Sequence, residues 1–197
     1  MRKLLLGCFV LSLASLGLAQ AGRGPATNPE AGPHLASQSA ADVLREVAAT
    51  DGAFLAARSV STTFDANNLA AMLQFPTDDI VVVKLSGRDL RAAFERSISL
   101  YPQPNSSFLQ LSGFVVEFTA AGAPESRVMN VTVNGTALDE NRTYTVAMPG
   151  SLGRGGMGYF KIWDKSKITK TFTGQTAEAI LKDKKFVDTS PRWLPQG

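Results

Sequence analysis

His34 is the only histidine in this chain of 197 residues, and Cys8 is the only cysteine. Nucleophilic catalysis of the Ser-His-Asp or Cys-His kind needs a histidine inside the fold, in hydrogen-bond reach of the nucleophile. His34 lies in a Gly- and Pro-rich stretch, so no such system is expected. A dinuclear metal centre draws several His and Asp ligands together, and a calcium loop needs regularly spaced carboxylates. Neither pattern is present, so no metal site and no cofactor are expected. Asp78-Asp79 reads as loop charge at a strand start.

One segment has the spacing of phosphate-binding chemistry. Gly153-Arg154-Gly155-Gly156-Met157-Gly158 fits the letters G-x-G-x-x-G. A dinucleotide fingerprint also needs a strand before it, a helix after it, and an acidic residue about 20 positions on. Tyr159 to Trp163 reads as strand or loop, so the fingerprint is not adopted. The glycines instead let backbone approach something closely, either a ligand or a neighbouring strand.

The elements that would position this loop follow a mixed order. Residues 1–21 read as a signal peptide: Arg2 and Lys3 begin it, Leu4 to Leu18 is apolar, and Ala19-Gln20-Ala21 offers a cleavage site. Leu5-Leu6-Gly7-Cys8 resembles a lipobox, but too few apolar residues precede Cys8. Once the leader is removed, no membrane span and no thiol are expected. Without Arg2 and Lys3, 18 basic face 17 acidic residues, a net charge of +1. That balance excludes the basic footprint of a nucleic-acid binder. Lys161 to Lys170 reads as a solvated edge and loop.

Residues 22–38 read as a flexible tether and 39–197 as one domain. Ser39 is expected to cap a helix with Val43, Leu44 and Val47 on its apolar stripe. A short strand should cover Ala53 to Ala57. Asp65 should cap a second helix through Leu73, stopped by Pro76. Asp79 to Leu85 is continuous and β-branched, which suits a strand buried on both faces. Ser86-Gly87 turns into a helix carrying Leu90, Ala93, Phe94 and Ile98. Phe108 to Phe118 predicts one long strand interrupted by Gly113. Val128 to Val133 is a strand, Asn134-Gly135 a hairpin turn, and Tyr144 to Met148 another strand. Thr173 or Gly174 should precede a last helix through Leu181. Helices and strands mix first and strands dominate later, so the fold class is α+β, a single mixed α/β domain.

Several of these segments together resemble the 5'-nucleotidase C-terminal domain family, over roughly Ala40 to Leu181. They are Leu73-Gln74-Phe75, Leu85-Ser86-Gly87, Phe108-Leu109-Gln110-Leu111-Ser112-Gly113, Arg127-Val128, Tyr144-Thr145-Val146-Ala147 and Gly155-Gly156-Met157-Gly158-Tyr159. The resemblance implies a nucleoside held between two aromatic rings, with hydrolysis on a separate metal-bearing domain that this sequence does not show. Phe75 matches one ring; Ser151 stands where the second is expected. Met157 stands where an Asp would bond the ribose. Arg58 is the stand-in for an arginine near the phosphate, and Gly155 and Gly156 are further candidate substrate contacts. Phe75 also reads as a core aromatic, and Arg58 as a solvated strand-end charge.

The resulting expectation is an exported periplasmic or cell-envelope binding or scaffold module, with a degraded nucleoside site and no hydrolysis of its own. The alternative is the substrate-binding half of a two-chain 5'-nucleotidase. Expected partners are a separate metallophosphoesterase chain or envelope proteins, and a weakly held nucleoside.

Overall fold

A computed structural model describes residues 26–196; the signal-peptide, lipobox and cleavage-site readings lie outside them. Four helices and nine strands occur in this part: α1 (Leu35–Ala48), β1 (Gly52–Ala56), β2 (Asp79–Ser86), α2 (Gly87–Ser97), β3 (Leu109–Ser112), β4 (Phe114–Thr119), β5 (Val128–Val133), β6 (Thr136–Ala137), β7 (Thr143–Pro149), α3 (Gly150–Gly153), β8 (Ile168–Thr176), α4 (Ala177–Leu181) and β9 (Trp193–Gln196). The strands form a five-stranded sheet, β3-β1-β7-β2-β8, and a four-stranded sheet, β6-β5-β4-β9. The mixed α+β class is the one the sequence predicts.

The central strands of the larger sheet divide their side chains between two cores. Phe54, Val81, Val83, Leu85, Val146 and Met148 face a core shared with α2 and the smaller sheet. Ala53, Leu55, Ile80, Val82 and Ala147 face the opposite core, under α1 and α4. Period-two alternation with both faces buried produces the apolar run of β1 and that of β2 as far as Val83; Lys84 is exposed. The first core is aromatic at its centre. Phe54 meets Phe94 and Phe114 at ring separations of 6.0 and 5.4 Å, and Phe108 meets Trp193 at 5.0 Å.

The expected long strand from Phe108 to Phe118 is two strands in two sheets. Gly113 turns the chain between them at φ +78°, and a Cβ there would lie 2.2 Å from the Asp51 carbonyl oxygen. Only glycine combines that backbone with that approach. Asn134 and Gly135 have φ of 49° and 83°, as a two-residue hairpin turn requires. The expected helix from Asp65 is only a 3-10 turn, Leu69–Met72. The Asp65 and Asn68 side chains there bond the N–H groups of Asn67 and Ala70, local bonds that compete with helix formation. The last helix begins after Thr176, whose hydroxyl accepts from the Ala179 N–H at 3.2 Å; β8 runs through the expected start at Gly174. Lys170 lies on that edge strand, exposed as the charge pattern suggests.

The tether reading is corrected for residues 26–38. Gln110, fully buried, donates to the carbonyls of Pro29 (2.8 Å) and Gly32 (2.9 Å) and accepts from the His34 N–H (2.9 Å). This stretch is therefore held by polar bonds from a distant strand, which its Gly/Pro composition does not disclose. Helix α1 starts at Leu35 rather than at a Ser39 cap. The Ser39 hydroxyl instead accepts the Val187 N–H at 3.0 Å.

His34 is 5% exposed, with Nδ1 2.8 Å from the Ser37 hydroxyl oxygen. Burial pushes its pKa below the usual histidine range. The unfolded chain then binds a proton more readily than the folded one. This contribution to stability is full above about pH 6.5, the ordinary histidine value, and is lost as pH falls below it. Urea unfolding at pH 7.5 and 5.5 should show the loss, and His34→Gln should flatten that part of the pH profile. An unchanged profile in the variant would assign the dependence to other groups.

Candidate functional site

The antiparallel pairing of β2 with β7 sets Ile80 opposite Pro149, and so brings the residues before β2 against α3. There the Asp78 carboxylate accepts the Ser151 N–H at 2.9 Å and lies 3.6 Å from Arg154 Nη2. Phe75, in the loop before β2, is 46% exposed, so it is not the core ring of the alternative reading. A cleft of about 380 Å³ opens between that loop and the glycine loop, lined by Phe75, Thr77, Asp78, Ser151 and Met157 among others. A second cleft of about 400 Å³ adjoins it; Phe75 and Gln74 belong to both, and Arg58, Glu30, Asn28 and Thr62 line the far side.

The structure thus brings Phe75, Ser151 and Met157 to one cleft and places Arg58 in the neighbouring one. It does not bring Gly155 and Gly156 to either. A Cβ on Gly155, at φ +89°, would lie 2.7 Å from Phe160 Cα, and one on Gly156 would lie 2.6 Å from the Ser151 carbonyl oxygen. These glycines answer to the protein's own backbone, in α3 and the turn after the loop rather than in the neighbouring strand that was expected.

Met157 sits in a left-handed conformation, φ 54° and ψ 26°, which costs a residue other than Gly, Asn or Asp about 1–2 kcal/mol. Its carbonyl accepts from Arg96 Nη2 and from the Ser107 hydroxyl, both at 2.8 Å. Tyr159 donates to the Ser107 carbonyl at 2.7 Å and stacks on Trp163 at 4.5 Å. Burial pushes the Tyr159 pKa well above the usual phenol range, so it remains a donor. Trp163 in turn donates to the Leu152 carbonyl at 2.8 Å. This chain of bonds fixes the glycine loop and the wall that Met157 contributes.

Sequence reading misses Asp78, Arg96 and Ser107. Asp78 reads as loop charge, yet it anchors α3. No local pattern marks these residues, because each acts on a partner 50 or more positions away. Among the described residues no three His, Cys, Asp or Glu side chains gather as metal ligands. The arrangement offers a flat exposed ring, the largely buried Asp78 carboxylate and the nearby Arg154 guanidinium. These groups suit holding a ligand.

A family model described as "5'-nucleotidase, C-terminal domain" matches residues 17–164. The 5'-nucleotidase of Mus musculus is 35% identical over 125 residues, covering 59% of this chain and 21% of the relative. Snake venom 5'-nucleotidase from Naja atra is 34% identical over 103 residues, covering 48% and 19%. The chain therefore spans about a fifth of the length of these relatives. Among solved structures, the 5'-nucleotidase precursor from Thermus thermophilus superposes with a TM-score of 0.74 at 21% identity, over 87% of this chain and 37% of that one. Haemophilus influenzae NAD nucleotidase gives a TM-score of 0.64 at 15% identity, over 88% and 36%. At these identities the likeness carries the fold.

Proposed function

Because this chain belongs to the 5'-nucleotidase C-terminal domain family, we propose that it is an exported binding or scaffold module of the periplasm or cell envelope, with a weakened nucleoside site and no hydrolysis of its own. The observation that carries the reading is the exposed Phe75 ring, facing a cleft whose other wall is Ser151 and Met157. A base can lie on such a ring, but among the described residues no second ring lines this cleft. Export is supported by the Arg2-Lys3 start, the apolar run to Leu18 and the Ala19-Gln20-Ala21 site. No helix among the described residues is long and apolar enough to cross a membrane.

A second reading has a specific observation in its favour. Arg58 lines the cleft next to Phe75, and a guanidinium suits the phosphate of a nucleotide. The chain would then be the substrate-binding half of a nucleotidase whose metal-bearing half is another polypeptide.

One set of measurements separates the two. Alone, the protein should bind adenosine in the millimolar range or more weakly by calorimetry. It should leave AMP intact with added Mn²⁺, Zn²⁺ or Co²⁺. Micromolar binding of AMP that Arg58→Gln abolishes would favour the two-chain reading. Turnover by the purified chain that disappears on replacing a carboxylate within the fold would overturn both.

A further inference from the structure

A third cleft lies on the other side of the glycine loop, between α2 and the 120–127 loop. Its volume is about 570 Å³, within the usual range of small-molecule sites, about 300–1,000 Å³. It shares no lining residue with either cleft at Phe75: Met157 faces that side of the loop, whereas Gly158, Lys161 and Ile162 face this one. Ala92, Pro124, Ile162 and the methylene stems of Arg88 and Arg91 give it apolar walls.

Its charges are unequally engaged. Glu95 accepts the N–H groups of Arg127 and Val128 at 3.1 and 2.7 Å, so both its oxygens are occupied. Glu140 accepts from Arg91 Nε at 2.8 Å and lies 4.0 Å from Arg88 Nε. The cations are less well matched. Arg88 has a side chain 72% exposed and bonds only the Asn141 side-chain oxygen, at 3.0 Å, besides that long contact. Lys161 makes no ion pair among the described residues. Arg96 commits Nη2 to Met157 and Ser107, and its buried Nε has no hydrogen-bond partner. A buried donor without a hydrogen-bond partner is uncommon; this guanidinium lies 5.2 Å from the Tyr159 ring centroid. Glu125, at the rim, is the one carboxylate here without a bonded partner among the described residues.

We propose that this cleft binds a small organic anion with a flat apolar body, of the aryl carboxylate class. The ring would lie on the Ala92, Pro124 and Ile162 wall, where guanidinium planes can also stack on it. The acidic head would meet Lys161 and Arg88. Inorganic phosphate would satisfy the cations but leave the apolar wall wet. A neutral aryl alcohol would do the reverse. The site is independent of the Phe75 reading.

Amide ¹H–¹⁵N NMR of the protein, titrated with 2-naphthoate, 2-naphthol and inorganic phosphate, tests this. Naphthoate should shift Ala92, Gly158, Lys161 and Ile162 saturably, and the other two probes should do so at least about tenfold more weakly, the equivalent of one charge-assisted hydrogen bond. The double variant Arg88→Gln with Lys161→Gln, both on the exposed rim, should weaken naphthoate by a similar factor. Phe75→Ala should leave it unchanged. Absent shifts, shifts confined to the Phe75 side, equal response to 2-naphthol, or undiminished binding in the double variant would overturn the proposal.

Discussion

Replacing Ser151 by Phe and Met157 by Asp in one chain should create adenosine binding about two to four powers of ten tighter than that of the parent. The first change supplies a second ring facing Phe75, and stacking a base on an aromatic is worth about 1–3 kcal/mol. The second supplies a charged acceptor for the ribose, worth about 1.5–3 kcal/mol; each 1.4 kcal/mol is tenfold in affinity. The backbone is prepared for both changes. Position 151 is held through its N–H by Asp78, a bond that does not involve its side chain. Position 157 is left-handed, and Asp tolerates that conformation better than Met. The new carboxylate would share its cleft with Asp78, whose charge is already offset by the Ser151 N–H and by Arg154. Adding Phe75→Ala should take away one ring's stacking, about 1–3 kcal/mol, and so weaken the double variant by about one to two powers of ten. Calorimetry on the three proteins, each confirmed folded by circular dichroism, decides. No gain in the double variant would show that the nucleoside pocket lies elsewhere.

Trp193→Ala should remove about 3–5 kcal/mol of folding stability, a large share of the roughly 5–15 kcal/mol that typical domains possess. Trp193 is 1% exposed and touches the rings of Phe94, Phe108 and Phe118 at 5.7, 5.0 and 5.9 Å. Its indole N–H donates to the Leu109 carbonyl at 2.8 Å, so truncation also leaves that buried acceptor without its partner. β9 joins β4 in parallel with Trp193 beside Val116, and the tryptophan plugs the junction of the two sheets. Urea unfolding should show a lower midpoint at unchanged slope, and Trp193→Phe should recover most of the loss. A change below about 1 kcal/mol, the typical cost of a single substitution, would place β9 outside the cooperative unit.

Elements whose signal is local are readable in the chain. The apolar runs of β1 and β2, the helix after Ser86 and the Asn134-Gly135 turn each follow from neighbours in sequence. Ser86 even completes a reciprocal cap with Asp89. Elements held from afar are not. β9 has four residues, one of them proline, and takes its meaning from Val116 and the aromatic core. Residues 26–34 depend on Gln110, which in sequence reads as one more strand residue. Gly113 announces an interruption, but a change of sheet requires knowing what Asp51 does. In the cleft, the convergence of Phe75, Ser151 and Met157 can be anticipated only from family resemblance. The roles of Asp78, Arg96 and Ser107 arise from pairings that no spacing encodes.

The first turns of α1 are completed by the far end of the chain. The Gln38 side chain exchanges bonds with Ser190 and Arg192, Ser39 accepts from Val187, and Asp42 pairs with Arg192 at 2.6 Å. Buried polar groups without partners are costly, so the buried polar side chains of this helix depend on residues some 150 positions later. Contacts of such separation form slowly, because a long loop must close first. Order in sequence and order of assembly therefore differ: α1 comes first among the helices of the described residues, yet its polar face is completed only by residues 187–192.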